Sequence, residues 1–322
     1  MNDDFRQYFA DNEAGTPLVF EAAAAGCGIV AWAAAHQERI ASAVAEHGAV
    51  LLRNFKVAQT EDFAALVNTL CKTVQYEFRS TPRTSVGTNM YTATEYPKEY
   101  TIPVHCENAY QAQWPMRLFF LCEQPAASGG ETPLANIRAA TEKISAEVKD
   151  LFRSKDILYV RNYGQGIDLD WAEVFQTESK AEVESYCREH DIAFEWKGGG
   201  GLRTRQIRPA MVRHPVSGEE LWFNQAHLFH VSSHEPEMRE AMSQLFREED
   251  LPRNAYFGDG SPIGEDVLEH VRSAYRDSTF IFPWQKNDVL MVDNMRIAHG
   301  RKPFSGARKV LVMMGDVHDP RV

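Results

Sequence analysis

His105 and Glu107 flank Cys106 in the segment PVHCENAYQAQWP, residues 103–115. In a strand, successive side chains alternate faces. This spacing therefore predicts His105 and Glu107 on one side and Cys106 on the other. An imidazole beside a carboxylate is two thirds of a two-His-one-carboxylate facial triad. Such a triad covers one face of an octahedral ion and leaves three positions open. That suits non-haem Fe(II), which must take a co-substrate and dioxygen together. On its own an H-x-E pair is usually just two polar residues satisfied by their neighbours, so a second histidine is needed.

Two segments compete to supply it. WFNQAHLFHVSSHE offers His227, His230 and His234 at spacings of three and four, as a zinc-like cluster on a helix would. Asn224-Gln225 before it and Ser232-Ser233 within it argue against a continuous helix, and His230 and His234 read as loop histidines. In DNMRIAHGRKPFSGARKVLV, His299 ends an apolar strand and Gly300 permits close backbone approach. Arg308 follows at the start of the next strand. Its guanidinium fork suits the distal carboxylate of a dicarboxylic acid.

The elements that must position these residues are mixed. IVAWAAAHQERIASAVAEHG reads as a helix ending at Gly48, AVLLRNF as a buried strand, and TEDFAALVNTLC as a helix with Thr60 as its N-cap. From about residue 102 the pattern turns strand-like. MRLFFLCEQP, ETPLANI, DILYVRNY, AFEWK, RQIRPAMVRHP and ELWFNQ are short, β-branched or aromatic, and bounded by Gly, Pro or Asn. The helical patterns IRAATEKISAEVKDLFRS, LDWAEVFQTESKAEVESYCREH and HEPEMREAMSQLFREE interrupt them. STFIFPW, DVLMVDNM and RKVLVMMGDV return to strands. The expected fold is mainly β with flanking helices (α+β), an antiparallel barrel or jelly roll. We expect one domain over 1–322: an N-terminal part at 1–100 packing on the core, and a core at 101–322 with a helical insert at about 135–245.

The chain has 322 residues, 34 Lys plus Arg against 45 Asp plus Glu, and a formal charge of −11. An acidic surface repels phosphate backbones, which argues against nucleic-acid binding. The five cysteines (27, 71, 106, 122 and 187) form no CxxC pair and fit a reducing cytoplasm. The start MNDDFRQYFADNEAG lacks a signal-peptide pattern, and the Ala-rich stretch after it, interrupted by Glu21 and glycines, reads as turn and helix rather than a membrane span.

The H-x-E pair, GGETPLAN and DNMRIAHGRKPFSGAR, in this order, resemble the TauD/TfdA superfamily of Fe(II)- and 2-oxoglutarate-dependent dioxygenases. WPMRLFFLCEQPAASGGETPLAN, ELWFNQAHLFHVSS and DLPRNAYFGDGSPI resemble the SyrP-like group of nonribosomal-peptide pathways within it. The likeness runs from about residue 40 to the C-terminus. It implies a double-stranded β-helix (jelly-roll) core of the clavaminate synthase/TauD type. It also implies His105, Glu107 and His299 as Fe(II) ligands, Arg308 as partner of the 2-oxoglutarate C5 carboxylate, Thr132 as a hydroxyl donor to that co-substrate, and O2 as the second co-substrate. Two departures matter. Glu107 stands where an Asp is commoner, and a carboxylate there leaves no vacancy for the halide of related halogenases. Val312 stands where relatives that bind sulfonates or carboxylates often carry a second arginine.

Candidates for the substrate are Asn108 and Tyr110 after the metal pair, Arg203 and Arg205 after GGGGL, and Asn224 with Gln225 at a strand end. The alternative for the arginines is pairing with local acids, and for Asn224 and Gln225 strand-end capping. By resemblance the reaction is hydroxylation of an unactivated C–H, the β-carbon of an amino acid, free or tethered to a peptidyl carrier protein. Desaturation or oxidative decarboxylation by the same cofactor is the near alternative. A non-catalytic β-barrel that binds small molecules is the distant one. A zinc hydrolase lacks HExxH and a base beside the triad.

Overall fold

The computed structural model describes residues 5–24, 26–74, 83–164 and 168–321. Its centre is an eight-stranded sheet in the order Phe5–Phe9, Leu18–Ala22, Ala49–Arg53, Val289–Asp293, Trp114–Gln124, Lys309–His318, Met90–Thr92 and Ser85–Gly87. Every pairing is antiparallel except Leu18–Ala22 with Ala49–Arg53. A four-stranded sheet lies against it, in the order Thr279–Phe280, Leu134–Asn136, Ile297–Arg301 and Ile102–His105.

The period of two in the long strand Trp114–Gln124 holds the two layers together. Leu118, Phe120 and Cys122 point one way, into a core shared with Leu134, Phe280 and Ile297 of the small sheet. Phe119 and Leu121 point the other way, into a core shared with Ile40, Phe63 and Leu66 of the N-terminal helices. Because both faces are covered, the strand is apolar almost throughout rather than alternating. This is the jelly-roll α+β architecture.

The N-terminal part does more than pack on the outside. Its first three strands extend the main sheet, and its helices cover that sheet's outer face. A buried ion pair ties the join: Arg53 donates from Nε to Asp288 Oδ1 at 3.0 Å and from Nη2 to Asp288 Oδ2 at 2.7 Å. The bidentate fork fixes both side chains in one plane. The helix expected to end at Gly48 is two helices, Ile29–Ala35 and Gln37–His47, broken at His36, with Gly48 in the left-handed region as the C-terminal stop. The N-cap of the next helix is Gln59, not Thr60. Asp62 reaches back to the backbone N–H groups of Ala58 and Gln59, and Thr60 is already helical, with its hydroxyl on Glu123.

The helical insert joins neighbouring strands of the small sheet, Leu134–Asn136 and Thr279–Phe280, so it spans 137–278 rather than ending near 245. The cause is Arg253–Phe257. This strand pairs with Ile157–Tyr163 inside the insert's own sheet, which also holds Ala193–Trp196 and Leu202–Arg208. The insert core reaches the metal-motif segment through Cys106, Ala109 and Tyr110.

Candidate active site

His105 is the last residue of the strand Ile102–His105. Glu107 lies beyond it, in a turn where Asn108 takes φ 57°. The simple strand alternation therefore stops at Cys106, which is buried in the insert core. The turn then brings Glu107 back beside His105. Two side chains hold that turn. Asn294 accepts from the Glu107 backbone N–H at 2.7 Å and donates through Nδ2 to Glu107 O at 2.9 Å and Pro115 O at 2.8 Å. Gln225 donates through Nε2 to the Cys106 carbonyl at 2.6 Å.

His299 is the direct cross-strand partner of His105, and their rings stand 4.6 Å apart. A register shift follows at Gly300, where a Cβ would lie 2.5 Å from the Ile102 carbonyl. Only glycine lets the two ligand strands approach so closely. The donor atoms of His105, Glu107 and His299 lie within 4.8 Å of one another, the one such group found among the described residues. His227, His230 and His234 form no cluster of this kind there.

The state of these donors fits a divalent ion. His105 Nδ1 sits 2.9 Å from the Pro103 carbonyl. A carbonyl can only accept, so Nδ1 carries a proton and Nε2 is the nitrogen left to face a metal. Burial, reinforced by His105 and Arg83, pushes the His299 imidazole well below its usual pKa. It stays neutral, as ligation requires. Glu107 is 4% exposed, and Arg83 donates to its Oε2 at 2.8 Å, compensating a buried carboxylate.

A small cavity opens beside the group, bordered by His105, His299, Arg83, Thr132, Arg308 and Val312. Arg308 donates through Nε to the Gly130 carbonyl at 2.8 Å, and no carboxylate of the described residues lies within ion-pairing distance of it. Burial lowers its pKa to about 10. A largely desolvated cation without a counter-ion is costly, and a ligand carboxylate would offset that cost. Gly130 makes room for it: at φ +73°, a Cβ there would sit 2.9 Å from Arg308 Cδ. Thr132 is 3% exposed, and its Oγ accepts from Trp284 Nε1 at 3.0 Å, which leaves the hydroxyl proton to donate onward. Arg301 closes one side by donating to the Tyr96, Pro97 and Tyr100 carbonyls.

A family model described as taurine catabolism dioxygenase TauD, TfdA family matches residues 13–314. The chain belongs to this family. It is 43% identical over 274 residues to the dapdiamide synthesis protein DdaC of Enterobacter agglomerans, covering 85% of this chain and 83% of that one. It is 30% identical over 281 residues to a clavaminate synthase-like protein of Arabidopsis thaliana, covering 84% and 82%. Among solved structures, the PvcB protein of Pseudomonas aeruginosa superposes with TM-score 0.58 at 16% identity, over 98% of this chain and 92% of that one. AAD-2, solved with Mn(II) and N-oxalylglycine, superposes with TM-score 0.58 at 12% identity over 99% of each chain. These two likenesses concern the fold. This TauD/TfdA protein is an iron- and 2-oxoglutarate-dependent dioxygenase acting on a small molecule.

The residues expected at the substrate separate into two sets. Tyr110 is buried and lines a second cavity. Asn108, at positive φ in the metal turn, holds a buried Oδ1 with no hydrogen-bond partner. Gln225 braces the metal turn. The others are corrected. Asn224 donates to the Ala210 carbonyl and accepts from the Ala226 N–H, a strand-end cap. Arg203 and Arg205 do share a face, but the second cavity is bordered by Thr204 and Gln206, on the other face of the same strand. Arg203 instead donates to Asn162 Oδ1, the Glu249 carbonyl and Asp250, and Arg205 pairs with Glu195 at 3.5 Å. Asn294 and Trp284 lie inside quoted segments without standing out there, and Arg83 lies in none of them.

Proposed function

We propose that this dioxygenase hydroxylates an unactivated C–H, at the β-carbon of an amino acid that is free or tethered to a peptidyl carrier protein, in secondary-metabolite biosynthesis in the cytoplasm. The observation that carries the cofactor half of this reading is a single cavity. It joins the His105 and His299 imidazoles, above the buried Glu107, to an uncompensated Arg308 and a donor hydroxyl on Thr132. In this reading His105, Glu107 and His299 hold Fe(II). Arg308 takes the far carboxylate of 2-oxoglutarate, and Thr132 donates to the same molecule. Bound iron, 2-oxoglutarate and dioxygen supply an oxidant able to attack an unactivated C–H, with succinate and carbon dioxide as by-products. Asn294 and Gln225 keep the ligand turn in one conformation, and Phe120 and Val312 keep that cavity's apolar side dry. The relative named for dapdiamide synthesis supports a biosynthetic role. The compartment rests on five free cysteines, and no helix among the described residues is long and apolar enough to cross a membrane.

Anaerobic titration of Fe(II) and 2-oxoglutarate into the apo-protein tests the cofactor half. A weak visible charge-transfer band is expected in wild type and not in His299→Ala. Absence of both the band and co-substrate affinity in wild type would refute it. Substrate-dependent succinate release over amino acids and aminoacyl carrier proteins tests the rest.

A further inference from the structure

Beyond the metal cavity the insert holds a second, small pocket bordered by Tyr110, Arg161, Tyr163, Phe175, Thr204 and Phe229. Its free interior is about the size of one water, so a polar head larger than that enters only as the wall side chains shift. Its wall follows from strand alternation. Tyr159, Arg161 and Tyr163 share one face of Ile157–Tyr163, and Thr204, cross-strand partner of Arg161, presents the same face from Leu202–Arg208.

Arg161 is 4% exposed. Its Nε lies 3.1 Å from Asp168 Oδ2, but Nη1 and Nη2 are buried and make no hydrogen bond. Asp168 does not neutralise it alone. The same carboxylate takes two bonds from Arg253, at 2.5 and 2.8 Å. The Tyr110 hydroxyl on this cavity is also buried without a partner. The Tyr163 ring lies 4.8 Å from Arg161 Cζ and steadies the guanidinium plane. Two orphaned N–H edges of one fork and an orphaned hydroxyl therefore line one small, otherwise largely apolar pocket. Buried donors of this kind are rare unless something else satisfies them. A carboxylate matches a guanidinium edge in charge and in geometry. Tyr110 belongs to the turn that begins at Glu107, so an occupant touching Tyr110 lies against the metal turn.

We propose that Arg161, assisted by the Tyr110 hydroxyl, is the subsite for a carboxylate of the substrate. The proposal rests on the oxygenase reading above and narrows its substrate to an acid. The carboxylate has two sources: the α-carboxylate of a free amino acid, or a side-chain carboxylate on an aminoacyl group whose α-carboxyl is held by a carrier.

The test is calorimetric titration of three probe sets into the protein, alone and with Fe(II) and 2-oxoglutarate under anaerobic conditions. The sets are the L-amino acids, the α-carboxamides of those without a side-chain carboxylate, and isoasparagine and isoglutamine, which keep only the side-chain carboxylate. We expect at least one acid to bind wild type about tenfold or more tightly than Arg161→Gln, with Arg161→Lys between them and Tyr110→Phe weakened less. Preference for free acids over α-amides selects the free amino acid. Arg161-dependent binding of isoasparagine or isoglutamine selects the side-chain carboxylate. If no carboxylate prefers wild type over Arg161→Gln, the proposal is overturned. The charge-transfer band, expected unchanged in Arg161→Gln and Tyr110→Phe, reports folding and separates the two readings. Loss of the band from wild type would sink the oxygenase reading, while the titrations without cofactor would still decide on Arg161.

Discussion

Replacing Asn294 by alanine is expected to weaken the metal site although Asn294 is not among the donor residues. The side chain makes three buried hydrogen bonds, two to the backbone of Glu107 and one to the Pro115 carbonyl of the following strand. Each contributes about 1 kcal/mol net, so their loss costs about 3 kcal/mol. The true cost lies above this where the Glu107 N–H stays dry, and below it where water enters the gap. In a chain of this size that corresponds to a fall in melting temperature of about 4–5 °C, at roughly 1.5 °C per kcal/mol. The turn then samples other conformations, and Glu107 no longer meets His105 and His299 without added entropy loss. Fe(II) affinity should fall about 10–100-fold, as for other residues that orient ligands. Metal competition titration, with thermal melts in the presence and absence of Fe(II), measures both effects. The stabilisation conferred by metal should shrink in Asn294→Ala. Asn294→Asp keeps the acceptor for the Glu107 N–H but loses both donors, so it should fall near the alanine variant. If Asn294→Ala melts earlier yet binds Fe(II) as wild type does, Asn294 is a packing residue and the clamp argument fails.

Other outcomes follow from the same geometry. Arg308→Gln should raise the KM for 2-oxoglutarate by about two orders of magnitude, measured by succinate release, while Fe(II) affinity in a competition assay stays within about twofold. Gly130→Ala should lower 2-oxoglutarate affinity by displacing Arg308, because its Cβ has both a strained φ and a 2.9 Å clash with Arg308 Cδ. A result equal to wild type would remove that cradle. His227 is held neutral by burial, with a pKa lowered to about 3. The unfolded chain takes up this proton near pH 6.5 and the folded chain does not. The contribution to stability is thus complete above pH 6.5 and is lost progressively between pH 6.5 and 3, by about 4–5 kcal/mol in the limit. His227→Gln should flatten that part of the stability–pH curve in denaturant titrations, and an unchanged slope would contradict the assignment.

Much of the centre was legible from the chain alone. His105, Glu107, His299, Thr132 and Arg308 are distinguished by chemical type, and their order along the chain resembles one family. Cys106 does lie away from the metal side, buried in the insert core, but the turn after His105 sets this rather than the strand alternation expected from the sequence. The helix Glu265–Arg276 was legible but unread: Leu268, Val271, Ala274 and Tyr275 are its buried stripe. The extent of the insert was not legible, because nothing local to Arg253–Phe257 says which of two sheets it will join.

The remaining gap concerns arginines. Arg203 and Arg205 drew notice because they stand together after a glycine run. Arg161, between Val160 and Asn162 in the strand DILYVRNY, carries no local signal of a site. A strand's alternation states which residues share a face but not which face looks inward. That was decided by the pairing of Arg161 with Thr204 and of Asn162 with Arg203, and by the cores built on either side. The sequence by itself determined the donor chemistry, since the identity of an imidazole, a carboxylate or a guanidinium is local. Tertiary structure alone decided that Asn294 clamps Glu107 across 187 positions of chain, and which guanidinium was left buried with its donors unmet. Burial and the absence of a partner are properties of everything packed around a side chain, so no window of sequence contains them.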